Sequence, residues 1–432
     1  MALVLVAVFV ILIAVGAPIV VAMGVGTWIA LVLNGMDWTL VAQTSYHGLS
    51  SFTFLSIPLF VLAGEIMDKG GISARLARFV VMLVGWLSGG LGIAVVLGTM
   101  IFSGISGSVN ADAAAIGSVM IPMMLEAGYR KEWAAAIVAA AAGTGILIPP
   151  SITMITLGTV ANLSIKQLFL ASLFPAALIG LSKAIVIWYK ARAGLEPSNE
   201  RVKFSCGQVV GAFLDAIPAL LAPAIILGGI LSGVFTATEA AAVAVLYASL
   251  LSVVVYREIT LEKARLLLVS TVRLTGVVVG LVGAASAIAY VMAYTMVSNS
   301  LADMAHSVIG NYLVFVSLMM VLFWILGAML DGIPALVILI PLFMPLAQEA
   351  GMNPIHFAIF SLAVFGISLV TPPLGTACFV VTSLAKVDMK KLIVPMLPFL
   401  GIMFATILLL AYVPWFSLEL PRLWGGLVII PK

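Results

Sequence analysis

Charge is what this sequence has least of. Only 9% of its 432 residues are Asp, Glu, Lys or Arg, whereas soluble globular chains carry about 25%. A water-soluble protein is thereby excluded, and 63% hydrophobic residues with a mean hydropathy of +1.27 assign the chain to a lipid bilayer. Histidine is nearly absent. His47, His306 and His356 are scattered near expected interfaces, so an imidazole-based metal centre is not expected. Two cysteines, Cys206 in a loop and Cys378 in an apolar run, supply no disulfide framework. The strict polar/apolar alternation of a membrane β-barrel is also missing. So is any intramembrane Ser/His pair, HExxH motif or pair of acids, which removes the usual enzyme constellations.

What the chain has is apolar runs of about 15 to 30 residues, enough for about ten crossings at 1.5 Å per residue. The first run, 3–33, starts without a basic leader and reads as a retained helix, broken at Gly16, Ala17 and Pro18. Residues 37–51 read as an interfacial helix. The apolar stretch 80–125 is interrupted at 102–110 by serine, glycine and asparagine, and 134–160 is interrupted at 143–151 by glycine and the pair Pro149, Pro150. Residues 167–189 read as a clean span, 190–208 as a polar linker, and the charged piece 257–273 as a helix lying on the inner surface. In the second half 311–346 carries a polar centre at 327–334, 357–384 carries one at 366–373, and 392–416 is the last span. Gly85, Gly89, Gly90 and Gly92 read as a close helix contact, and Glu239 as a first-turn helix acid.

One motif is written twice. An offset of 223 carries Gly104 to Gly327, Pro122 to Pro345, Gly143 to Gly366, Pro149 and Pro150 to Pro372 and Pro373, and Thr153 to Thr376, without a gap. The Lys and Arg residues cluster in short loops. All those loops fall on the cytoplasmic side if 80–125 and 311–346 are re-entrant hairpins entering from opposite faces. Two halves of opposite orientation point to a secondary transporter.

Peptide groups left unpaired in hydrocarbon cost several kcal/mol each, so non-helical backbone at membrane depth must face a cavity, an ion or other protein. Hydroxyls, an amide and freed carbonyls at the breaks suit a dehydrated Na⁺, and the half-helix N-termini suit an anion, most simply a carboxylate. Asp112 and Asp331 fit helix caps and ion or proton ligands equally, which keeps a proton reading open.

Several segments resemble the large membrane subunit of tripartite ATP-independent periplasmic (TRAP) transporters. They are Ile57, Pro58, Leu59, Phe60 with Ala63, Gly64, Glu65; Gly70, Gly71, Ile72, Ser73 with Arg75, Leu76; Phe102 to Ser108 with Ala111, Asp112, Ala113; and Ile148, Pro149, Pro150, Ser151. The resemblance covers essentially the whole chain. It implies an all-α polytopic inverted-repeat fold of the ion-transporter type, with two re-entrant helical hairpins, two broken helices and elevator movement, in the bacterial inner membrane. The repeats would be 1–193 (hairpin about 80–126, broken helix about 131–161) and 209–432 (hairpin about 312–350, broken helix about 354–385), joined by a cytoplasmic linker 194–208. It further implies Na⁺-driven uptake of an organic acid such as sialic acid, a C4-dicarboxylate or a keto acid, with Na⁺ as coupling ion and no organic cofactor. The implied partners are a small four-helix membrane subunit, expected as a separate chain, and a periplasmic substrate-binding protein; nucleic acid is not among them. Carried over residue by residue, the ion positions fall at Ser103, Gly104, Ser106, Gly145 and Pro149, and at Gly327, Gly366, Thr371 and Pro372. The second tip departs from the first, with Leu326 for Ser103 and Met329 for Ser106. Substrate is expected between the tips, at Ser108, Asn110, Ser151 and Thr376. The rival readings are a symporter without a binding protein and a channel lined by the breaks.

Overall fold

Apolar runs of this length would form uninterrupted helices unless the sequence marked their ends, and it marks them with proline, glycine and short polar caps. The computed structural model describes residues 7–9, 11–13, 15–194, 205–294, 311–330 and 332–426, and among these the regular elements are all helical. Pro18 stands immediately before α1 (Ile19–Leu33), so the first run breaks where the sequence places it. Helices α2 (Thr39–Leu49) and α3 (Ser56–Lys69) are bent by 68° across a short turn. Gly71, at φ +80°, turns the chain into α4 (Ile72–Val84). A hairpin of α5 (Gly90–Ser106) and α6 (Val109–Glu126) leads to α7 (Lys131–Ala142) and α8 (Ile152–Val160), two pieces separated by the 143–151 break. Ser164 caps the long α9 (Ile165–Arg192), its hydroxyl accepting from the Gln167 N–H at 3.4 Å.

The second half opens with α10 (Cys206–Ser232) and α11 (Ala237–Ser249), the latter started by a capping box between Thr236 and Glu239. Next, α12 (Leu261–Tyr294) runs for 34 residues without interruption. A separate surface helix over 257–273 is therefore not formed. No proline or glycine stands between Leu261 and Gly276, so the charged segment becomes the first turns of one long helix. A second hairpin, α13 (Tyr312–Met329) and α14 (Gly332–Glu349), precedes the pieces α15 (Pro354–Ser368) and α16 (Thr376–Ala385). Helices α17 (Met389–Tyr412) and α18 (Trp415–Trp424) end the fold. Eight helical stretches among the described residues are long and apolar enough to cross a membrane, α13 and α14 included.

The offset read from the sequence carries element onto element. It takes Val109–Glu126 onto Gly332–Glu349 end to end, and Lys131 at the start of α7 onto Pro354 at the start of α15. Packing is reciprocal as well: α17 lies on α7 while α9 lies on α15, and α12 lies on α1 while α3 lies on α11. Both Pro149–Pro150 and Pro372–Pro373 bonds are cis. At the centre the equivalent glycines meet, Gly143 against the Gly366 carbonyl and Gly366 against the Gly143 carbonyl. The two halves thus touch through their own matching residues.

Helix α7 is buried from Trp133 to Ala142 and α15 from Ile355 to Ser368, so both are apolar all round and form the core of the molecule. His356 belongs to that core rather than to an interface. Its Nδ1 pairs with the Ser417 hydroxyl at 2.5 Å and its Nε2 with the Ala411 carbonyl at 3.3 Å, which lets a polar ring be buried without cost to an unpaired nitrogen. A second, smaller core sits apart, where Ile66, Leu76, Ala219, Ala248 and Leu267 join α3, α4, α10, α11 and α12. Gly89 and Gly92 let α5 lie directly on Ile187 of α9, as a close helix contact requires.

A side chain between the central glycines has nowhere to go. Gly366→Ala should cost about 1–3 kcal/mol through overpacking, whereas Gly98→Ala, where a Cβ meets nothing within 4 Å, should leave stability equal or slightly higher. Melting temperatures of the two purified variants in detergent check this, and equal values would refute the close approach.

Candidate functional site: two hairpin tips and two helix breaks

Helix α5 ends where Gly107 adopts φ +58°, and α6 begins at Ser108, whose hydroxyl accepts from the Ala111 N–H at 3.5 Å. Asp112 is therefore not the cap. Ser103 and Ser106 stand three residues apart on one face of α5, and both hydroxyls donate to the Asp112 carboxylate, one to each oxygen. Ser103 and Asp112 have no solvent exposure, and Ser106 has almost none. With their protons turned toward the acid, both serine oxygens keep lone pairs for a cation.

The first broken helix closes on this knot. A Cβ at Gly145 would overlap the Asp112 carboxylate and lie 3.0 Å from the Ser103 hydroxyl, so only glycine brings the break this close. A Cβ at Gly104 would lie 3.2 Å from the Pro149 carbonyl oxygen. Ser103, Gly104, Ser106, Gly145 and Pro149 are thus brought to one place. A buried carboxylate stands behind these neutral oxygens, so of the two roles open to Asp112 the helix cap is not the one it takes. Asp112 lies nine and six residues from its serines across a tight tip, and that spacing was the available signal.

The second half is arranged differently. Gly327 is pressed against the Phe365 ring and the Ser368 hydroxyl. One turn earlier, Trp324 Nε1 donates to Thr371 Oγ1 at 3.1 Å, and Thr371 in turn donates to the Ile367 carbonyl at 2.7 Å. Pro372, next to Thr371, is partly buried. Gly366 is not with this group; it faces Gly143 across the centre, because it is one of the residues on which the halves meet. Asp331 lies outside the described residues. Ser368 and Trp324 were missed by sequence reasoning, although Ser368 stands where the offset carries Gly145.

Both tips reach one cavity of about 150 Å³. Ser106, Ser108 and Asn110 line it from the first tip, Thr153 from α8, Gly332 and Ile333 from the second hairpin, and Leu369 from the second break. Helix α3 contributes Glu65 and Asp68. Among the described residues no Lys or Arg lines it. Of the four residues expected to touch substrate, Ser108 and Asn110 reach the cavity. Ser151 is instead fully buried behind the tip, its hydroxyl 3.5 Å from the Gly107 carbonyl, since the positive-φ glycine packs directly on that residue. Thr376 donates to Asn110 Oδ1 at 2.9 Å and so ties the first tip to the second broken helix across 266 residues.

One residue that reads as part of a clean span is not apolar at all. Lys183 of α9 is fully buried, with Nζ donating to the Ala140 carbonyl at 2.5 Å and to the Thr144 hydroxyl. Ala140 and Thr144 flank the end of α7. A lone lysine in a run of hydropathy 2.0 is diluted by its neighbours, which is why the run reads as uniform.

Removing the shared acceptor orphans two buried hydroxyls at about 1–3 kcal/mol each. Asp112→Ala should therefore lower the melting temperature of the purified protein more than Ser108→Ala, which breaks only a long cap bond. Equal melting would mean the three side chains do not form a unit.

Residues 6–416 match the family described as tripartite ATP-independent periplasmic transporter, DctM component. The chain is 37% identical to the YgiK protein of Salmonella typhimurium, with 96% of each chain covered. It is 34% identical to the 2,3-diketo-L-gulonate TRAP transporter large permease protein YiaN of Escherichia coli, over 93% of this chain and 94% of that one. In three dimensions it is similar to the Alcanivorax borkumensis YdaH transporter at a TM-score of 0.65, 16% identity and 88% of both chains, which supports the fold. With apolar helices enough for many crossings, the chain is a multi-pass protein of the bacterial inner membrane and a transport protein rather than an enzyme. It belongs to the tripartite ATP-independent periplasmic transporter family as a large permease component of the DctM type.

Proposed function

We propose that this chain is the transport subunit of a Na⁺-coupled importer of an organic acid, supplied with substrate by a periplasmic binding protein and assembled with a small membrane subunit. The observation that carries this reading is the meeting of both hairpin tips and both helix breaks around one cavity, with Ser103, Ser106 and Asp112 knotted against Gly145. Freed carbonyls and hydroxyls at such a place favour a small dehydrated cation. Glu65 and Asp68, with no basic residue beside them among the described lining residues, oppose an anion arriving alone. Cations must therefore load first, and the anion follows them, which is symport. The acid is a carboxylate in the first place: 2,3-diketo-L-gulonate, for which the Escherichia coli relative is named, is of that class.

Coupled movement needs two bodies. The hairpins and broken helices, with α9 and α17, form the body that carries substrate; α1 to α4 and α10 to α12, with their own smaller core, form the frame it slides against. In this reading α13 and α14 enter and leave the same face of the membrane, as do α5 and α6.

Reconstituted vesicles test the proposal. Uptake of a labelled organic acid should require an inward Na⁺ gradient, the small subunit and the cognate binding protein; uptake without the binding protein favours a stand-alone symporter, and ion conductance in the absence of substrate favours a channel. Ser103→Ala and Thr371→Ala should each raise the Na⁺ concentration for half-maximal uptake several-fold with expression unchanged. Unaltered Na⁺ dependence in both would remove these residues from the ion positions.

A further inference from the structure

Burying an ammonium away from water is costly unless something offsets its charge. Lys183 has no exposure, and its two partners, a carbonyl and a hydroxyl, are neutral. Among the described residues no carboxylate lies within ion-pair distance of it. Yet a buried carboxylate stands close by. Lys183 is bonded to Thr144, and the very next residue, Gly145, is the one pressed against Asp112. Neighbouring Cα atoms are about 3.8 Å apart, so this chain of contacts keeps the two groups within about 12 Å of each other across the break.

The second half is a control built into the same chain. The offset that carries Pro149 to Pro372 carries Asp112 to Ala335 and Lys183 to Thr406. At these equivalent positions acid and base occur together in one half and are replaced together in the other. The link between them is lost as well, for Thr144 becomes Ile367, and Thr406 donates within its own helix to Ile402. The helix end changes in step. Helix α15 continues to Ser368, whereas α7 stops at Ala142, three residues before the equivalent position, leaving the Ala140 carbonyl to the lysine.

We infer that Lys183 is a fixed counter-charge to Asp112, built into the end of α7, which keeps the first ion position weak enough to let its cation go. The inference rests on the Na⁺ reading above and adds a residue to it. Asp112 alone in a dry site would hold a cation tightly. The ammonium across the break subtracts from that attraction, and at an effective dielectric of about 20 two unit charges about 12 Å apart alter ion affinity about tenfold. Lys183 touches no ion itself; it is a positioning and tuning residue. At the position equivalent to Asp112 the second half carries Ala335, and at the position equivalent to Lys183 it carries Thr406.

Lys183→Gln keeps donors for Ala140 and Thr144 and removes the charge, and Lys183→Met removes both. In purified protein, the Na⁺ concentration giving half of the Na⁺-dependent rise in melting temperature should fall about tenfold in Lys183→Gln. In vesicles, half-saturating Na⁺ should fall likewise while the maximal uptake rate drops, because release becomes slow. A purely structural lysine predicts the opposite, a higher Na⁺ requirement, and that result or an unchanged one overturns the inference. Should Lys183→Gln fail to fold, Lys183→Met is read in the same two assays with the same criteria, and loss of folding in both assigns the residue to structure and overturns the inference too. A wild-type protein indifferent to Na⁺ in both assays would instead remove the Na⁺ reading itself, an outcome visible before any variant is made.

Discussion

A peptide group without a hydrogen-bond partner is far more costly in hydrocarbon than in water, and the whole architecture follows from that cost. This chain breaks helices at four places inside its apolar mass. Each break must then find partners, and it finds them at other breaks and, at the end of α7, on α9. The Gly107 carbonyl takes the Ser151 and Thr153 hydroxyls, the tip amide of Asn110 takes Thr376 from the other half, and the Ala140 carbonyl takes Lys183. What would be four separate penalties becomes one shared polar centre, reachable from a cavity.

That centre is asymmetric although its scaffold is duplicated. Matching glycines meet at Gly143 and Gly366, and matching helices pack reciprocally, so the backbone keeps the internal repeat. The side chains do not. The first half places Ser103, Ser106 and Asp112 at its tip and Lys183 behind its break; the second places Trp324, Thr371 and Ser368 at the corresponding level. Duplication supplies the same backbone geometry twice, and divergence gives the two tips different side chains. In the proposed cycle, the two positions would bind cations with different strength, which sets an order of loading and release.

Glycine is the residue that makes the close approaches possible, and it does so at few positions. Gly145 admits the Asp112 carboxylate, and Gly107 turns the first tip with a backbone angle that other residues rarely adopt. The frame uses ordinary means by comparison. Its helices join through a smaller apolar core and a cation over an aromatic ring, Arg75 at 3.7 Å from the Tyr256 centroid.

The sequence by itself determined the membrane class, the helical content, the duplication and the four breaks, because composition and the placement of Gly and Pro act locally and survive without knowledge of neighbours. It also marked Ser103, Ser106, Gly145 and Pro149 as residues of one kind of place. It could not determine that Asp112 serves two serines rather than a helix end, that Ser151 and Thr376 bind the first tip instead of lining the cavity, or that residues 257–273 continue into a long helix. Nor could it show that Lys183, averaged away in an apolar run, sits at the end of α7. Those facts depend on which surfaces meet across 39, 44 or 266 residues, and only the packed structure decides that, since a buried polar atom takes its role from the atoms that happen to reach it.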